Sequence, residues 1–497
     1  MNCCDPEPEG MILREHGASN HAASAEHATE RDASQGTLPK HHATVNPCTL
    51  CAPLGAVLAA AGVEGAMPLL HGAQGCATYI RRYLISHFRE PMDVASSSFT
   101  EASAVFGGED NFSRAIDNIR RQYDPKIVAV GTTCLAETMG EDLRMMIDRY
   151  SQSRSSSLPI VHASTPSYRD GHVEGYHAMV LALVQSLARP LTKGAQSASP
   201  HQGTTAKPAL PAEARVNVLP PIVSPEDLRH LRQIVEAFGL GGTILPDYSD
   251  TLDAPIRSSH RSMPEGGTSL VDIGSMPLAL GTIDFTMTGL VRGASDVLVE
   301  RGVSKFLLGL PIGIVATDAL VDCLEQLSAQ DCPGWLEAER GRLLDAYADG
   351  HKYVYGKRVA LYGDPELVVA MTKFLLEIGA VPAICATGAR NRALSSGLAA
   401  LPPGSVERVL EDTDFSSIEA ACRDSQIDLM IGNSKGYRAA RTNGIPLLRL
   451  GFPIHDRIGA GRILSLGYRG TVGLFDSIVN TLLERVQDSS SVGFSYL

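Results

Sequence analysis

Along most of the chain, short β-branched runs alternate with amphipathic stretches, and each run stops at small or polar residues such as glycine, threonine or asparagine. Lys126–Val130, Val216–Leu219, Arg358–Tyr362 and Leu429–Ile431 are runs of this kind and predict strands. Strands alternating with helices belong to α/β layers built on parallel sheets. At 497 residues, with about 100–200 residues per domain, the pattern predicts roughly three α/β domains. These span 46–189, 216–350 and 351–497, the last ending in a helix over Leu474–Arg485. Residues 190–215, rich in Pro, Ser, Thr, Gly and Ala, read as a linker or surface loop, and 1–45, without apolar periodicity, as a disordered arm.

Charge and hydropathy then remove whole classes of function. The chain has 43 basic against 55 acidic side chains, a net charge of −12, which disfavours a phosphate-backbone partner because that contact needs clustered Lys and Arg. No apolar window approaches the ~18 residues of a spanning helix, and the start, with Cys3, Cys4 and acidic residues, lacks the pattern of a signal peptide. A cytoplasmic protein with neither nucleic-acid nor membrane partners is expected. Ten cysteines in a reducing compartment are then buried hydrophobes or reactive thiols, not a disulfide framework. Neither a Gly-x-Gly-x-x-Gly nor a Walker-type loop occurs, so no nucleotide is assigned.

Ligands of open α/β sheets bind at the carboxyl ends of strands. Three such ends stand out: Gly131-Thr132-Thr133-Cys134, Tyr362-Gly363-Asp364-Pro365 and Ile431-Gly432-Asn433-Ser434. Only the first carries a thiol. The second opens a helix, with Asp364 as its cap, Pro365 at the first helical position and Gly379 as its stop.

Four cysteines fall in the first globular segment. Cys48 and Cys51 form a Cys-x-x-Cys that by itself fits zinc, redox or iron–sulfur chemistry. Cys76 ends His71-Gly72-Ala73-Gln74-Gly75-Cys76, whose glycines admit close backbone approach to something bulky, and Cys134 follows a strand end. Singly, each reads as a buried thiol. As a set, Cys51, Cys76 and Cys134 suggest one ligand shared by loops of a single domain. Zinc is disfavoured because structural zinc draws on two close pairs, whereas thiolates dominate the shell of iron–sulfur clusters. Cys323, Cys332, Cys385 and Cys422 are dispersed and read as bystanders.

Longer motifs surround these thiols. Asn46–Ala56, "HGAQGCATYIRRYLISHFREP" from His71, "SSSFTEASAVFGGEDN" from Ser96, "GTTCLAETMGEDL" from Gly131, "HASTPSYRDGHVEGY" from His162, "GKRVALYGDPELV" from Gly356, "DLMIGNSKG" from Asp428 and "LLRLGFPIHDR" from Leu447 together resemble the K-type, or β, subunit of nitrogenase component 1. The resemblance covers nearly everything after the arm. It implies three Rossmann-like domains and an [8Fe-7S] P-cluster shared with a D-type (α) subunit in an α2β2 heterotetramer. It further implies Cys51, Cys76 and Cys134 as this chain's cluster ligands, Ser167 as an added iron ligand on oxidation, Tyr79 as a residue lining the cluster and Phe106 as a docking residue for an ATP-dependent iron protein (H-type reductase). The iron–sulfur active-site cofactor would lie on the partner, so no catalytic acid, base or nucleophile is expected here. His71 and His87 read as structural, and Cys48 as a buried neighbour of a ligand.

Within this superfamily, an N-type scaffold for cofactor assembly fits less well, because that group typically carries Ser in place of Cys51. Ala73, the stretch Met92–Glu101 and a single tryptophan, Trp335, depart from the dinitrogen-reducing pattern. They favour a nitrogenase-like reductase of the methylthio-alkane type, which cleaves C–S bonds, over a dinitrogen-reducing β subunit.

Overall fold

The computed structural model describes residues 46–154, 157–189, 214–256, 263–286 and 292–492. The expected arm over 1–45, and 190–213 of the expected linker, lie outside the described residues.

Among the described residues, thirteen strands form three wholly parallel sheets. The first contains β1 (Ala66–His71), β2 (Ala95–Ser96), β3 (Ile127–Thr132) and β4 (Ile160–Ala163), in the order β2-β1-β3-β4. The second contains β5 (Arg215–Leu219), β6 (Gly241–Ile244), β7 (Thr282–Asp284) and β8 (Lys305–Leu307), ordered β6-β5-β7-β8. In the third, β9 (Arg358–Tyr362), β10 (Val381–Ala386), β11 (Arg408–Leu410), β12 (Leu429–Gly432) and β13 (Leu447–Arg449) are ordered β11-β10-β9-β12-β13. This last arrangement reproduces the first five strands of the Rossmann order 3-2-1-4-5-6, and the first two sheets follow the start of the flavodoxin-like 2-1-3-4-5 order.

Parallel sheets covered on both faces need strands that are apolar on both sides. β1 and β3 accordingly have all six residues buried. Alternation sorts them: Met67, Leu69, Val128 and Val130 pack with Phe112, Ile116 and Tyr150, while Leu70 and Ala129 belong to the cluster containing Leu54, Val57 and Tyr176. The second face is covered by two helices, Ala52–Ala61 and His172–Leu187. They approach through glycine. A Cβ on Gly55 would stand 1.7 Å from the His172 carbonyl oxygen, and one on Gly175 would stand 1.9 Å from that of Ala52.

Some boundaries differ from the sequence reading. β3 runs on through Gly131 and Thr132, which pair with Leu70 and His71, because neighbouring strands satisfy their backbone regardless of side-chain propensity. Arg215, assigned to the linker, opens β5, and the helix Gly334–Val354 crosses the boundary drawn at 350/351. The C-terminal helix extends over Gly467–Ser489. Asp364 does precede the helix Pro365–Glu377, but its side chain makes no cap hydrogen bond. It faces His172 instead.

Candidate functional site

In open α/β sheets the ligand crevice lies where strand order reverses, outside the carboxyl ends of the strands. In the first sheet that point falls between β1 and β3. The loop leaving β1 carries Cys76 in the first turn of the helix Gln74–Phe88, and the loop leaving β3 carries Cys134 at the start of the helix Cys134–Met139. Gly72, at φ +154°, is required there: a Cβ would strike the Thr133 hydroxyl at 1.9 Å. Thr133 in turn donates from both its amide and its hydroxyl to the His71 carbonyl, each at 3.1 Å. The two loops are thereby fastened together.

Cys51 arrives from another direction, as the N-cap of the helix Ala52–Ala61, bridged in antiparallel fashion to Gly171. Ser167 joins it to Cys134. The Ser167 amide donates to the Cys134 sulfur at 3.3 Å, and its hydroxyl accepts from the Ala52 amide at 3.2 Å and hydrogen-bonds Cys51. The Ser167 loop is itself held: Thr165 donates from its amide to the Thr132 hydroxyl and from its hydroxyl to the Thr132 carbonyl, both at 2.7 Å. Glu137 accepts from the hydroxyls of Thr132 (2.5 Å) and Ser164 (2.6 Å). All three cysteines are free. Burial pushes the Cys51 thiol up, opposed by the Ser167 hydrogen bond, and charge on Cys134 pushes it further. Burial also raises Cys76, with charge on Cys51 and Cys134 acting in the same sense. The thiols therefore share one electrostatic environment.

Tyr79 lies one turn after Cys76, 48% exposed, and donates to the Tyr83 hydroxyl at 2.9 Å. Burial and that hydrogen bond push its phenol up to about 12, with charge on Cys51 contributing. Phe106 ends the helix Glu101–Phe106 and is 88% exposed. His71 is fully buried, edge-on to Phe99 and Phe112. His87 is buried and its Nδ1 accepts the Ile454 amide at 2.8 Å.

Cys48 faces away from this cluster and belongs to the third sheet. Its amide donates to the Thr413 carbonyl, its carbonyl accepts from Gly388, and burial pushes its thiol up to about 12. Residues 46–49 thus fill the crevice at the carboxyl ends of β10, β11 and β12. Lys435, on the turn after β12, donates to the carbonyls of Pro47 (2.6 Å) and Thr49 (3.0 Å). His172 completes the support of this segment. Its Nδ1 accepts the Leu50 amide at 3.2 Å, which leaves the proton on Nε2, 3.0 Å from the Asp364 carboxylate. Sequence reading missed Lys435 and His172. The strand end at Asn433-Ser434 was a visible signal for the first; His172 carried none.

Among the described residues, no group of three or more His, Cys, Asp or Glu is arranged to hold a single metal ion. Three separate thiols, two of them joined by the Ser167 hydroxyl and its sulfur-directed amide, instead suit a polynuclear group, with the amide donor aimed at sulfur.

The model of the nitrogenase component 1 type oxidoreductases matches residues 51–483, from the first of these thiols almost to the end of the last helix. The chain belongs to the nitrogenase component 1 family. Among its relatives, a nitrogenase molybdenum-iron protein beta chain from Clostridium pasteurianum is 35% identical over 89% of this chain and 94% of the relative. One from Frankia alni is 37% identical over 89% and 83%. A solved structure titled nitrogenase Cp1 at pH 6.5 superposes with a TM-score of 0.83 at 33% identity, covering 93% of this chain and 98% of that one. A further chain, titled nitrogenase Cp1 at pH 5, shares the fold at a TM-score of 0.61 and 15% identity. This component 1 chain is therefore a β-type oxidoreductase subunit with the nitrogenase fold. Among its described residues, no helix is long and apolar enough to cross a membrane.

Proposed function

We propose that this chain is the electron-relay half of a two-chain reductase, sharing an [8Fe-7S] P-cluster with a D-type (α) partner in an α2β2 heterotetramer. The convergence of Cys51, Cys76, Cys134 and Ser167 at one strand-order reversal carries the proposal. In this reading the three thiolates are half of a cluster shell whose other half comes from the partner, so cluster retention depends on docking of the two chains. Bound there, the cluster would take up and release electrons. Ser167 would offer its hydroxyl oxygen to iron on oxidation, giving up the Ala52 amide, while its own amide keeps the Cys134 sulfur oriented. Tyr79 and Tyr83 would line one side. Phe106 and its exposed neighbour Val105 would receive the ATP-dependent iron protein, and the substrate-reducing iron–sulfur cofactor would lie on the partner.

Two readings of the reaction served rest on different observations. Ala73, Met92–Glu101 and the single tryptophan favour C–S bond reduction of methylthio-alkanes. The names of the relatives favour dinitrogen reduction.

Anaerobic purification of the chain with its natural partner and iron protein tests both levels. A complex lacking iron and an oxidised P-cluster EPR signal refutes the relay. In an active complex, methane from dimethyl sulfide supports the first reaction; ammonia from dinitrogen without C–S cleavage refutes it. An inactive complex that hands a cofactor to another protein would point to a scaffold of the N type.

A further inference from the structure

Among the described residues, Lys435 is a partly buried cation without an acid. Among the described residues no carboxylate lies within ion-pair distance of its ammonium. Of its three N–H donors, two are taken by the carbonyls of Pro47 and Thr49, and the Phe415 ring lies 5.8 Å from Nζ. Burial lowers its pKa below the usual lysine value, and the groups that oppose that effect are the thiols of Cys48 and Cys51. Cys48 is buried and strongly held in its neutral form, so it supplies no negative charge. Cys51 remains. It lies two residues beyond the carbonyl that Lys435 holds, on the segment that the third domain clamps in its own crevice.

Enclosing a cation without an anion is unfavourable unless an anion arrives. A thiolate ligand is deprotonated outright when it binds metal, and every added electron makes the group it holds more negative. We propose that Lys435 is the fixed positive counter-charge of the cluster edge held by Cys51, and that it raises the cluster's reduction potential. The inference rests on the reading of Cys51 as a cluster ligand, and Lys435 is a positioning and tuning residue, not a catalytic one. Its side chain has two separable effects: its hydrogen bonds fix the approach of Cys51, and its charge favours the reduced cluster.

The experiment separates those effects in the assembled complex, using Lys435→Gln, which stays a donor but is neutral, and Lys435→Arg, which keeps the charge in a different shape. Redox titration of the P-cluster EPR signal is the readout. The expected result is a lower potential in the Gln variant, with the oxidised-to-reduced ratio at fixed potential raised about tenfold, equivalent to about 59 mV for a one-electron couple, and little change in the Arg variant. Equal potentials in wild type and a fully iron-loaded Gln variant overturn the proposal, as does an equal shift in both variants. Should the Gln variant load no iron, iron content decides: retention by Arg with loss in Gln supports the charge role, and equal loss in both refutes it. A wild-type complex without any cluster signal would refute the relay reading, an outcome distinct from all of these.

Discussion

His87 offers a quantitative handle on how the site is braced. It is the penultimate residue of the helix that begins with the Cys76 turn, and its Nδ1 accepts the Ile454 amide from the loop after β13. The ring is enclosed edge-on by Phe88 at 4.4 Å and Phe452 at 4.8 Å. Burial lowers its pKa from 6.5 to about 3, with His455 and Arg89 pushing in the same direction. Protonating Nδ1 would also displace the Ile454 amide. The folded state therefore holds His87 neutral while the unfolded chain takes up a proton below about pH 6.5. Stability contributed by the neutral form is intact above that pH, falls as the pH drops through 6.5 towards 3, and is level below. Integrating the difference gives about 2 kcal/mol lost at pH 5 and about 3 kcal/mol at pH 4. His87→Gln can retain an acceptor for Ile454 without titrating. Urea unfolding of wild type and variant at pH 7 and pH 5 gives a double difference that cancels other titrating groups, including His230, which burial lowers to about 4. The expected double difference is about 2 kcal/mol. Equal acid sensitivity in the two proteins, or a His87 that titrates near 6.5 by NMR, would refute the reasoning.

Cys134→Ala should abolish most P-cluster iron, whereas Cys48→Ala, whose thiol packs against the third sheet, should leave iron content unchanged; metal analysis of the purified complexes distinguishes them. Ser167→Ala should retain iron but alter the EPR signal of the oxidised cluster, and leaving the Ala52 amide unpaired should cost about 1–3 kcal/mol by chemical denaturation. Gly175→Ala places a Cβ 1.9 Å from the Ala52 carbonyl oxygen, so the helix carrying Cys51 must move; a loss of at least about 1–3 kcal/mol and reduced iron content are expected, and an unchanged melting temperature would contradict the packing. Phe106→Ala should raise the iron-protein concentration needed for half-maximal turnover while leaving the melting temperature unaltered, since the side chain is 88% exposed.

Much of this site was legible before the fold was known because its signals are local. Glycine and threonine at the ends of β1 and β3 mark places where loops must pass close to something, and two of the thiols, Cys76 and Cys134, lie in those loops. What escaped sequence reading depends on contacts between residues hundreds of positions apart. Cys48 looked like half of a Cys-x-x-Cys, yet its backbone pairs with Thr413 and Gly388, and nothing local announces that pairing. Asp364 carried every mark of an N-cap, and tertiary structure redirected its carboxylate to His172. Lys435 carried no reading of its own; its meaning appears only when Pro47 and Thr49 close over it.

Those long-range contacts share a pattern. Each of the three thiol-bearing segments is braced from outside its own strand–loop–helix unit. Cys51 is held through Lys435 and through His172 with Asp364, Cys76 through the His87–Ile454 bond, and Cys134 through Ser167 with the Thr132–Thr165 pair. Two of these braces come from the third domain. Its crevice, where a Rossmann sheet would ordinarily receive a ligand, is filled by residues 46–49 of the chain itself. The loops after β10, β11 and β12 thereby clamp the approach to Cys51. A perturbation of the third domain should therefore register in cluster properties before it registers in the first domain's fold. The Lys435 and His87 variants probe that coupling from its electrostatic and its mechanical side.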